Sequence, residues 1–389
     1  QLRRAMGAKR SPERMEALKG DLMAGMEERG IDAPTRERIF EQLKGFADFG
    51  FPESHSFSFA HIVYASSWLK VHAPEHFYAA ILASQPMGFY SPATLVQDAR
   101  RHGVRVVGPS VNDSLVDASV QRVGDDEAGE SYNPGRPEAL PSRGTVALDV
   151  DRELAVRIGL SQVRGLGAVA ERIVEARRQG AFTSQADLAR RAHVSASAME
   201  KLAMAGALEC LGVGRREGAW AAGALAQPQA RVGQWQPFLP GTEVGARVPE
   251  LPSLSEAERM RSDVASTGLT PGCHPFRYVR GSLPASVLRA GELGQHLAGR
   301  IVDIAGVVTH RQRPHTGGGI TFLSLEDETG LVNVSVSVGA WKKFRRVCLE
   351  SSALLVRGTL EWGDGAISVQ AFRIASIALP VEVKSRDFR

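Results

Sequence analysis

The chain has 389 residues, 43% of them hydrophobic and 23% charged, with a formal net charge of +4; this predicts about two to four globular domains and is compatible with a nucleic-acid partner without establishing one. No stretch reaches the roughly eighteen uninterrupted apolar residues of a membrane helix, so we predict a cytoplasmic protein with no membrane partner. The three cysteines, Cys210, Cys273 and Cys348, are widely spaced, which argues against a disulfide framework and a cysteine zinc site.

The sequence up to about residue 104 predicts a small helical domain. Gly30 closes one helix. A later helix is capped by Ser54 or Ser56 and runs to Lys70, before Pro74 interrupts the pattern. The high apolar content of this later helix predicts that it is buried.

Two stretches of biased composition predict linkers. Residues 124 to 144 combine glycine, proline, serine and acidic residues with almost no large aliphatic side chains, so they cannot offset the entropy lost on ordering. Residues 219 to about 252 are rich in alanine, glycine, glutamine and proline. Between the two, residues 145 to 158 consist largely of strand formers, and a compact helical unit begins at Gly159.

The strongest local signal is a glycine turn that opens a helix, in the sequence IGLSQVRGLGAVAERIVEARRQGAF at residues 158 to 182. Gly165, Leu166 and Gly167 form the turn, and Arg164 stands beside it. Main-chain amides at such a turn favour an anionic phosphate, so the pattern predicts a helix-hairpin-helix element that binds the DNA backbone. A glycine turn between two packed helices explains the same residues, and the turn alone does not separate these interpretations.

A second helical unit follows and favours DNA binding, because paired hairpins straddle a duplex better than one. Ser184 begins one helix, and residues 197 to 200 form a predicted capping box before the next. From this unit we add Lys201 and Gly206 to the predicted contact residues. Further positive charge near the turn comes from Arg172, Arg177 and Arg178. Phosphate contacts carry no base identity, so we expect sequence-independent binding that weakens as salt rises.

Period-two alternation predicts a five-stranded OB-fold barrel between residues 297 and 377. The expected strands cover residues 300–309, 320–325, 331–338, 353–360 and 367–374, with a short helix at 341–346. OB folds commonly bind single strands through a basic groove and stacking aromatic rings. The candidate contact residues are Arg311, Arg313, Trp341, Lys342, Lys343 and Arg345. A barrel that serves only as a protein contact or a spacer is the alternative.

Neither the acidic residues nor the histidines predict a catalytic or metal site. Asp149 and Asp151 are two apart on an expected strand and share a face, as paired magnesium ligands can, but this spacing alone is weak support. The three acids at residues 326 to 328 fall in a turn, where solvated acids normally lie. No histidine pair has convincing metal-ligand spacing. We therefore predict no catalytic residue, no bound cofactor and no metal in this chain.

Several of these segments together resemble the bacterial C-family DNA polymerases, of the DNA polymerase III alpha-subunit type, and within them the error-prone branch. Residues 45 to 104, from GFADFG to ARRHGV, resemble the end of that family's fingers domain. Within them, QPMGFYSP at residues 85 to 92, followed by DARRHGV, resembles the error-prone branch. IGLSQVRGLG resembles its hairpin module, TPGCHPFRYVR its joining motif, ITFLSLEDETGLVNV its OB barrel and SRDFR its C-terminus. The match covers nearly the whole chain apart from the two biased stretches.

The resemblance implies where the chemistry of the family lies. Its palm carboxylates, which hold Mg²⁺, lie upstream of the fingers' end, so none is expected here and Asp149 and Asp151 are not that pair. Gln1 opens the chain inside an expected helix, and we expect the natural polypeptide to continue upstream.

Two further assignments follow only from the resemblance. Ser54, His55 and Ser58 would lie on the fingers near the incoming nucleotide and the template, with capping and packing of a helix as the equal alternative. A clamp-binding peptide has only a loose candidate at residues 234 to 239, which a linker with buried aromatic rings explains as well.

We therefore predict an α+β multidomain chain with a helical fingers-end domain, a tandem helix-hairpin-helix module and a five-stranded OB-fold barrel. Residues 1–120 are assigned to the fingers, 121–144 to a linker, 145–215 to a strand and the hairpins, 216–290 to a linker and joining segment, and 291–389 to the OB domain and tail. The predicted function is DNA binding by the C-terminal part of an error-prone DNA-directed DNA polymerase, in damage-induced translesion synthesis and DNA repair. This segment alone is expected to be inactive.

The expected partners are the primer-template duplex, single-stranded template, a sliding clamp and mutagenesis accessory proteins. A standalone, non-catalytic DNA-binding or repair accessory protein is the competing function, and the lack of a palm favours it. A palm in frame directly upstream in the genome would support the polymerase, whereas a start codon there would support the accessory protein. An inactive pseudogene product is the third alternative.

Overall fold

A computed structural model describes residues 16–49, 53–123, 147–225, 249, 251–314, 318–363, 366–381, 383 and 385–388, of which residues 45–49 and 53–54 are described by their main chain alone. The chain divides into two compact units, residues 1–68 and 69–389. Within the described ranges, no helix combines the length and apolar character that a membrane crossing requires.

The first unit is helical, as predicted. It contains α1 (Lys19–Glu27), α2 (Ala33–Phe49) and most of α3 (Glu53–His72). Phe40 is fully buried, and the side chains that pack against it are Leu18, Leu22, Met23 and Leu43. A carboxylate oxygen of Asp32 accepts the amide of Thr35 at 3.2 Å, which satisfies one free donor at the start of α2.

Helix α3 differs from its prediction. It begins at Glu53, so Ser54 and Ser56 lie within its first turn rather than before it. The expectation that its apolar content buries the helix is wrong for several side chains: Phe57 is 77% exposed and Tyr64 is 73% exposed. The apolar residues are spread around the whole helix, so packing along one face cannot cover all of them.

The second unit begins with a helical pair and a small sheet. The helices are α4 (Pro74–Ala83) and α5 (Pro92–Arg101), and the strands are β1 (Arg105–Val107), β2 (Ser119–Arg122) and β3 (Leu154–Arg157). Strand β3 lies in the centre, parallel to β1 and antiparallel to β2. The expected strand at residues 145 to 158 is therefore shorter than predicted, and Asp149 and Asp151 precede it in irregular chain.

The hairpin module consists of four helices around one core. They are α6 (Val169–Arg177), α7 (Gln185–Ala192), α8 (Ala196–Met204) and α9 (Arg215–Leu225). The predicted capping box at Ser197 is wrong, because the hydroxyl of Ser195 caps α8 by accepting the amide of Ala198. Residues 219–225, expected to begin a linker, form the second half of α9. Fully buried core side chains include Leu160, Ile173, Leu188, Met199 and Leu202.

A joining segment connects this module to the barrel through α10 (Glu256–Thr267), α11 (Arg277–Arg280) and β4 (Val287–Leu288). Ser255 and Glu258 form a complete capping box at the start of α10. The guanidinium of Arg215 on α9 lies 2.6 Å from the carboxylate of Asp263 on α10, with both side chains largely buried. This ion pair holds α10 against the hairpin module.

The last region is the predicted OB fold. Its elements are β5 (Ile301–Gln312), β6 (Thr321–Glu326), β7 (Leu331–Val336), α12 (Val338–Glu350), β8 (Ala353–Gly363) and β9 (Ala366–Ile377). The strands pair in the order β5-β6-β7-β9-β8 and return to β5, so the sheet closes into a ring. Val332, Val334 and Val336 are buried, as their alternation predicts. A further short strand, β10 (Arg386–Phe388), runs parallel to the end of β5.

Two buried carboxylates at the end of β6 join the barrel to the preceding helices. Glu326 accepts from Arg101 of α5 at 2.8 Å, and Asp327 accepts from Arg280 of α11 at 2.9 Å. Both carboxylates are at most 3% exposed, so the expectation of solvated acids in this turn is wrong for them. Burial raises the pKa of Glu326 despite the attraction of Arg101, and burial also raises the pKa of Asp327.

Replacing Arg101 with methionine should destabilise the fold by about 3 kcal/mol at neutral pH, because a buried carboxylate loses its partner. Without Arg101 the folded-state pKa of Glu326 rises further above its unfolded value. At a pH below the pKa that Glu326 has in the unfolded chain, the protonated side chain contributes its full stability. This contribution is lost as the pH rises through the higher pKa that Glu326 has in the folded chain. Thermal unfolding between about pH 8 and about pH 5 should show a stability deficit that shrinks as the pH falls.

The matched control for this substitution is Arg122→Met. Arg122 and Glu153 form an ion pair at 3.3 Å with both side chains exposed, so the expected loss is below about 1 kcal/mol. A deficit for Arg101→Met that equals the control's, or that does not vary with pH, would contradict a stabilising role for the buried pair.

Candidate nucleic-acid interface

The glycine turn predicted from the sequence lies at the start of α6. Gly165 and Gly167 adopt φ values of +70° and +52°, in the left-handed region that favours glycine. Leu166 between them is buried in the core of the hairpin module. The two glycines therefore turn the chain outward while the leucine anchors it.

The turn exposes main-chain donors. Among the residues that the structure describes, none accepts a hydrogen bond from the amides of Gly165, Gly167 or Ala168, and all three residues are exposed. Ala168 is the N-cap of α6 and supplies no side-chain cap. Unpaired amides at a helix N-terminus attract an anion. Glu171 in the first turn of α6 partly opposes this attraction.

Lys201 brings a positive charge to the same place. It lies on α8, and its Nζ donates to the carbonyl oxygen of Gly165 at 3.3 Å. A Cβ added at Gly165 would lie 2.7 Å from that Nζ, whereas one at Gly167 would meet nothing within 4 Å. The exposed turn of Gly165 and Gly167, together with the half-buried Lys201 that contacts Gly165, is called the hairpin site.

The other three residues predicted for this site make contacts within the fold. Leu166 packs in the core. Arg164 is exposed, but its guanidinium donates to the carbonyl of Ala265 at 3.1 Å. Gly206 is buried after the end of α8 with φ +78°, and an added Cβ would lie within 3 Å of Arg215 and Glu209. Arg164 therefore ties the turn to α10, and Gly206 leaves room for the side chains of Arg215 and Glu209.

The neighbouring arginines mostly close helix ends. Arg172 donates to the carbonyl of Ala192 at the end of α7, and Arg177 donates to the carbonyl of Val111. Arg191, which the sequence did not single out, donates to the carbonyls of Ala176 and Gly180. No local pattern could have shown these contacts, because each joins segments that are distant in sequence or meet at a helix end.

On the barrel, two of the six predicted contact residues serve the fold. The guanidinium of Arg311 is buried and donates to the carbonyls of Cys348 and Ser351 at 2.6 and 2.7 Å. It also lies 3.2 Å from the carboxylate of Asp387 on β10. Trp341 is 7% exposed and packs in the barrel core. These side chains are thus not the open basic and stacking surface that the sequence predicted.

The other four form an exposed basic surface. Arg313 lies with its guanidinium 5.6 Å from the centre of the Trp341 ring, and Lys343 lies over the ring of Phe344 at 5.2 Å. Lys342 and Arg345 are exposed on α12. The basic surface therefore follows α12 and the start of the β5–β6 connection.

Sequence reasoning did not single out the outer face of β6 and β7. Phe322 and Leu331 are each 40% exposed there, and Ser324 and Asn333 lie opposite one another in the strand register. The alternation of these residues with the buried valines is the sequence pattern that could have predicted this exposed face.

The remaining predicted residues show no catalytic arrangement. His55 is exposed, with its ring edge-on to Phe59 at 4.6 Å. Ser58 is also exposed, and the side chain of Ser54 lies outside the described residues. Asp149 lies 2.7 Å from Nδ1 of His72, and Asp151 accepts the amide of Glu153. Across the described ranges, no three side chains of the histidine, cysteine, aspartate or glutamate type gather as a metal site would require.

Two family models match the chain. One, described as "Helix-hairpin-helix motif", matches residues 103–218, and the other, described as "OB-fold nucleic acid binding domain", matches residues 302–377. They confirm both predicted modules.

Solved structures match only weakly. Asparaginyl-tRNA synthetase from Pyrococcus horikoshii is 20% identical with a TM-score of 0.22, covering 25% of this chain and 24% of that one. OBody AM1L10 bound to hen egg-white lysozyme is 18% identical with a TM-score of 0.21, covering 24% of this chain and 94% of that one. Similarity at this level supports no conclusion about function.

Whole-chain relatives are closer. Proteins named error-prone DNA polymerase from Mycobacterium bovis, Nocardia farcinica and Cutibacterium acnes are each 45% identical to this chain and align with 100% of it. The chain spans 33%, 32% and 35% of these relatives, respectively, or about a third of their length. The chain therefore belongs to the error-prone DNA polymerase family, as its motifs predict, and corresponds to the C-terminal part of those proteins.

Proposed function

We propose that this chain is the part of an error-prone DNA-directed DNA polymerase that holds the primer-template. The observation that carries the proposal is the hairpin site, where the amides of Gly165 and Gly167 are open and the Lys201 ammonium donates to the carbonyl of Gly165. The description of the matching helix-hairpin-helix family and the names of the relatives support it.

The chemistry of the hairpin site suits a phosphate. Amide donors at the start of α6 and the Lys201 ammonium both attract a phosphate oxygen, and such contacts do not depend on the base. The partner proposed for this site is the duplex part of the primer-template. Binding there is sequence-independent and releases counterions, so it weakens with salt.

The barrel offers a second, different surface. Arg313, Lys342, Lys343 and Arg345 are exposed side-chain cations on one region of the OB fold. We assign the single-stranded template to this region, because basic side chains beside aromatic rings suit unpaired strands.

Asp149, Asp151 and Glu326 each contact another group of the chain, which disfavours a two-magnesium site at these residues. Asp149 pairs with His72, Asp151 accepts a main-chain amide, and Glu326 is buried against Arg101. We therefore place the magnesium chemistry outside these residues and assign this chain the role of positioning DNA. Ser54, His55 and Ser58 remain proposed neighbours of the incoming nucleotide and template.

The finer biological role is also part of the proposal. The relatives carry the name "error-prone", which favours synthesis across damaged template and a place in DNA repair, in the cytoplasm. A sliding clamp and mutagenesis accessory proteins are the proposed protein partners, and the loose clamp-peptide candidate at residues 234 to 239 lies outside the described residues.

The first test separates DNA binding from catalysis. The purified chain should bind a labelled primer-template at low salt and should not extend the primer when Mg²⁺ and deoxynucleotides are added. Gel analysis of the primer and fluorescence anisotropy measure the two properties. Primer extension would refute the division of labour, and failure to bind DNA in dilute buffer would refute the proposal as a whole.

A second test removes the glycine of the turn. Gly167→Val should weaken duplex binding about five- to tenfold, because a β-branched side chain opposes the left-handed backbone and the amides lose their alignment. Gly180→Val is the matched control, since Gly180 also has a positive φ and an added Cβ there would meet nothing within 4 Å. Equal affinities for the two variants in anisotropy titrations would move the phosphate site elsewhere.

A third test addresses the ammonium. Lys201→Met should reduce duplex affinity and lower the slope of log affinity against log salt by about one, as expected for one lost phosphate contact. Arg178→Met is the control, because Arg178 is exposed and pairs with Glu175 at 2.8 Å. An unchanged slope for Lys201→Met, measured from about 50 to about 200 mM salt, would remove Lys201 from the site.

A further inference from the structure

A cleft opens at one end of the barrel, between α12, β10 and the β5–β6 connection. Its volume is about 490 Å³, within the range of small-molecule pockets. The residues that line it include Arg313, Thr321, Trp341, Arg345, Leu349 and Asp387.

Thr321 gives the cleft an unused polar group. This residue is 1% exposed, and its hydroxyl has no hydrogen-bond partner among the described residues. Leaving a buried hydroxyl unpaired is unfavourable, and buried polar groups in folded proteins almost always have a partner. The hydroxyl is covered in this structure, so a ligand that supplies the missing bond must displace a neighbouring side chain to reach it.

The charges around the cleft select an anion. Arg313 and Arg345 are exposed at its edges. The carboxylate of Asp387 is already paired with the buried guanidinium of Arg311 at 3.2 Å. Lys342 lies one turn before Arg345 on the same side of α12 and extends the positive surface. The net local charge that a ligand meets is therefore positive.

The floor of the cleft suits a flat, apolar group. Trp341 lies beneath Arg313, whose guanidinium is 5.6 Å from the ring centre. Leu349 is 42% exposed on the neighbouring wall. A ring that enters here meets apolar surface, and a charge attached to that ring lies near Arg313 and Arg345.

We propose that this cleft binds one unstacked nucleotide of single-stranded DNA. On binding, the exposed side chain of Arg313 moves off the Trp341 ring to meet one flanking phosphate, and Arg345 binds the other. The base then lies against Trp341 and Leu349 and reaches the Thr321 hydroxyl. The inference rests on the proposed function and adds to it a defined subsite at the α12 end of the barrel. A strand with one charge per nucleotide matches the positive surface that continues along α12 better than a short acidic peptide does.

The sharpest test is Thr321→Val, which removes the hydroxyl and keeps the shape. Anisotropy with a fluorescent oligonucleotide of about twelve thymidines should show affinity reduced about three- to tenfold, the effect of one hydrogen bond. The melting temperature should stay the same or rise, because an unpaired buried hydroxyl is lost. A purely structural hydroxyl would instead lower the melting temperature and leave the oligonucleotide affinity unchanged.

The charge of the cleft is tested by a matched pair on α12. Arg345→Glu should weaken binding of the same oligonucleotide at least about fivefold more than Arg346→Glu. Arg346 is the adjacent exposed arginine, and it pairs with Glu350 at 2.9 Å. Both substitutions change the net charge equally, so a difference between them reports the cleft itself.

A third arm asks whether the cleft recognises a base. The wild-type chain should prefer the thymidine oligonucleotide over one of the same length made of abasic sugar phosphates, and Thr321→Val should reduce this preference. A preference of the same size in both proteins would place base contacts elsewhere on the barrel.

Failure of the nucleotide subsite and failure of the proposed function give different results. Unchanged oligonucleotide affinity in Thr321→Val, with equal effects of Arg345→Glu and Arg346→Glu, overturns the nucleotide subsite. Saturable binding of a short acidic peptide that these variants abolish, without any change in oligonucleotide affinity, overturns it in favour of a peptide site. If duplex binding keeps its sensitivity to Gly167→Val in either case, the proposed function stands. If the wild-type chain binds no DNA at all, the nucleotide subsite and the proposed function are both overturned.

Discussion

The position of the barrel against the preceding helices depends on two buried ion pairs, because a buried carboxylate needs an oppositely charged partner. Glu326 and Asp327 sit at the end of β6, and arginines from two separate helices, Arg101 and Arg280, meet them there. A buried carboxylate is tolerated when its partner is in place and is strongly unfavourable when it is not. We therefore infer that few placements of the barrel against α5 and α11 satisfy both pairs. Arg386 of β10 adds a third link by donating to main-chain carbonyls of the loop before α5.

In the hairpin module, too, charged side chains are used mainly for contacts within the protein. Several of its arginines donate to carbonyl groups at helix ends, as Arg172 and Arg191 do, so they stabilise the fold instead of facing a ligand. What stays open is the main chain of the glycine turn, with Lys201 beside it. A site built from amides in a fixed turn is preorganised, because binding a phosphate there requires little side-chain ordering.

The two candidate DNA surfaces differ in kind. The hairpin site presents main-chain donors from a rigid turn, which suits the regular backbone of a duplex. The barrel surface presents long, exposed side chains around a cleft with an apolar floor, which suits the irregular path and the free bases of a single strand. In the proposed function, the hairpin site holds the paired region of the primer-template and the barrel surface holds the unpaired region.

The sequence by itself determined the family, the five barrel strands and the glycine turn. The alternation of the strands and the left-handed backbone conformation of Gly165 and Gly167 are local properties, so a short segment of sequence is enough to predict each of them. The tertiary structure alone decided which polar residues face solvent. Arg311 and Glu326 look like surface residues in sequence and are buried, while Lys201 reaches Gly165 across 36 positions. Burial and long-range pairing depend on segments that meet only after folding, and no local pattern records them.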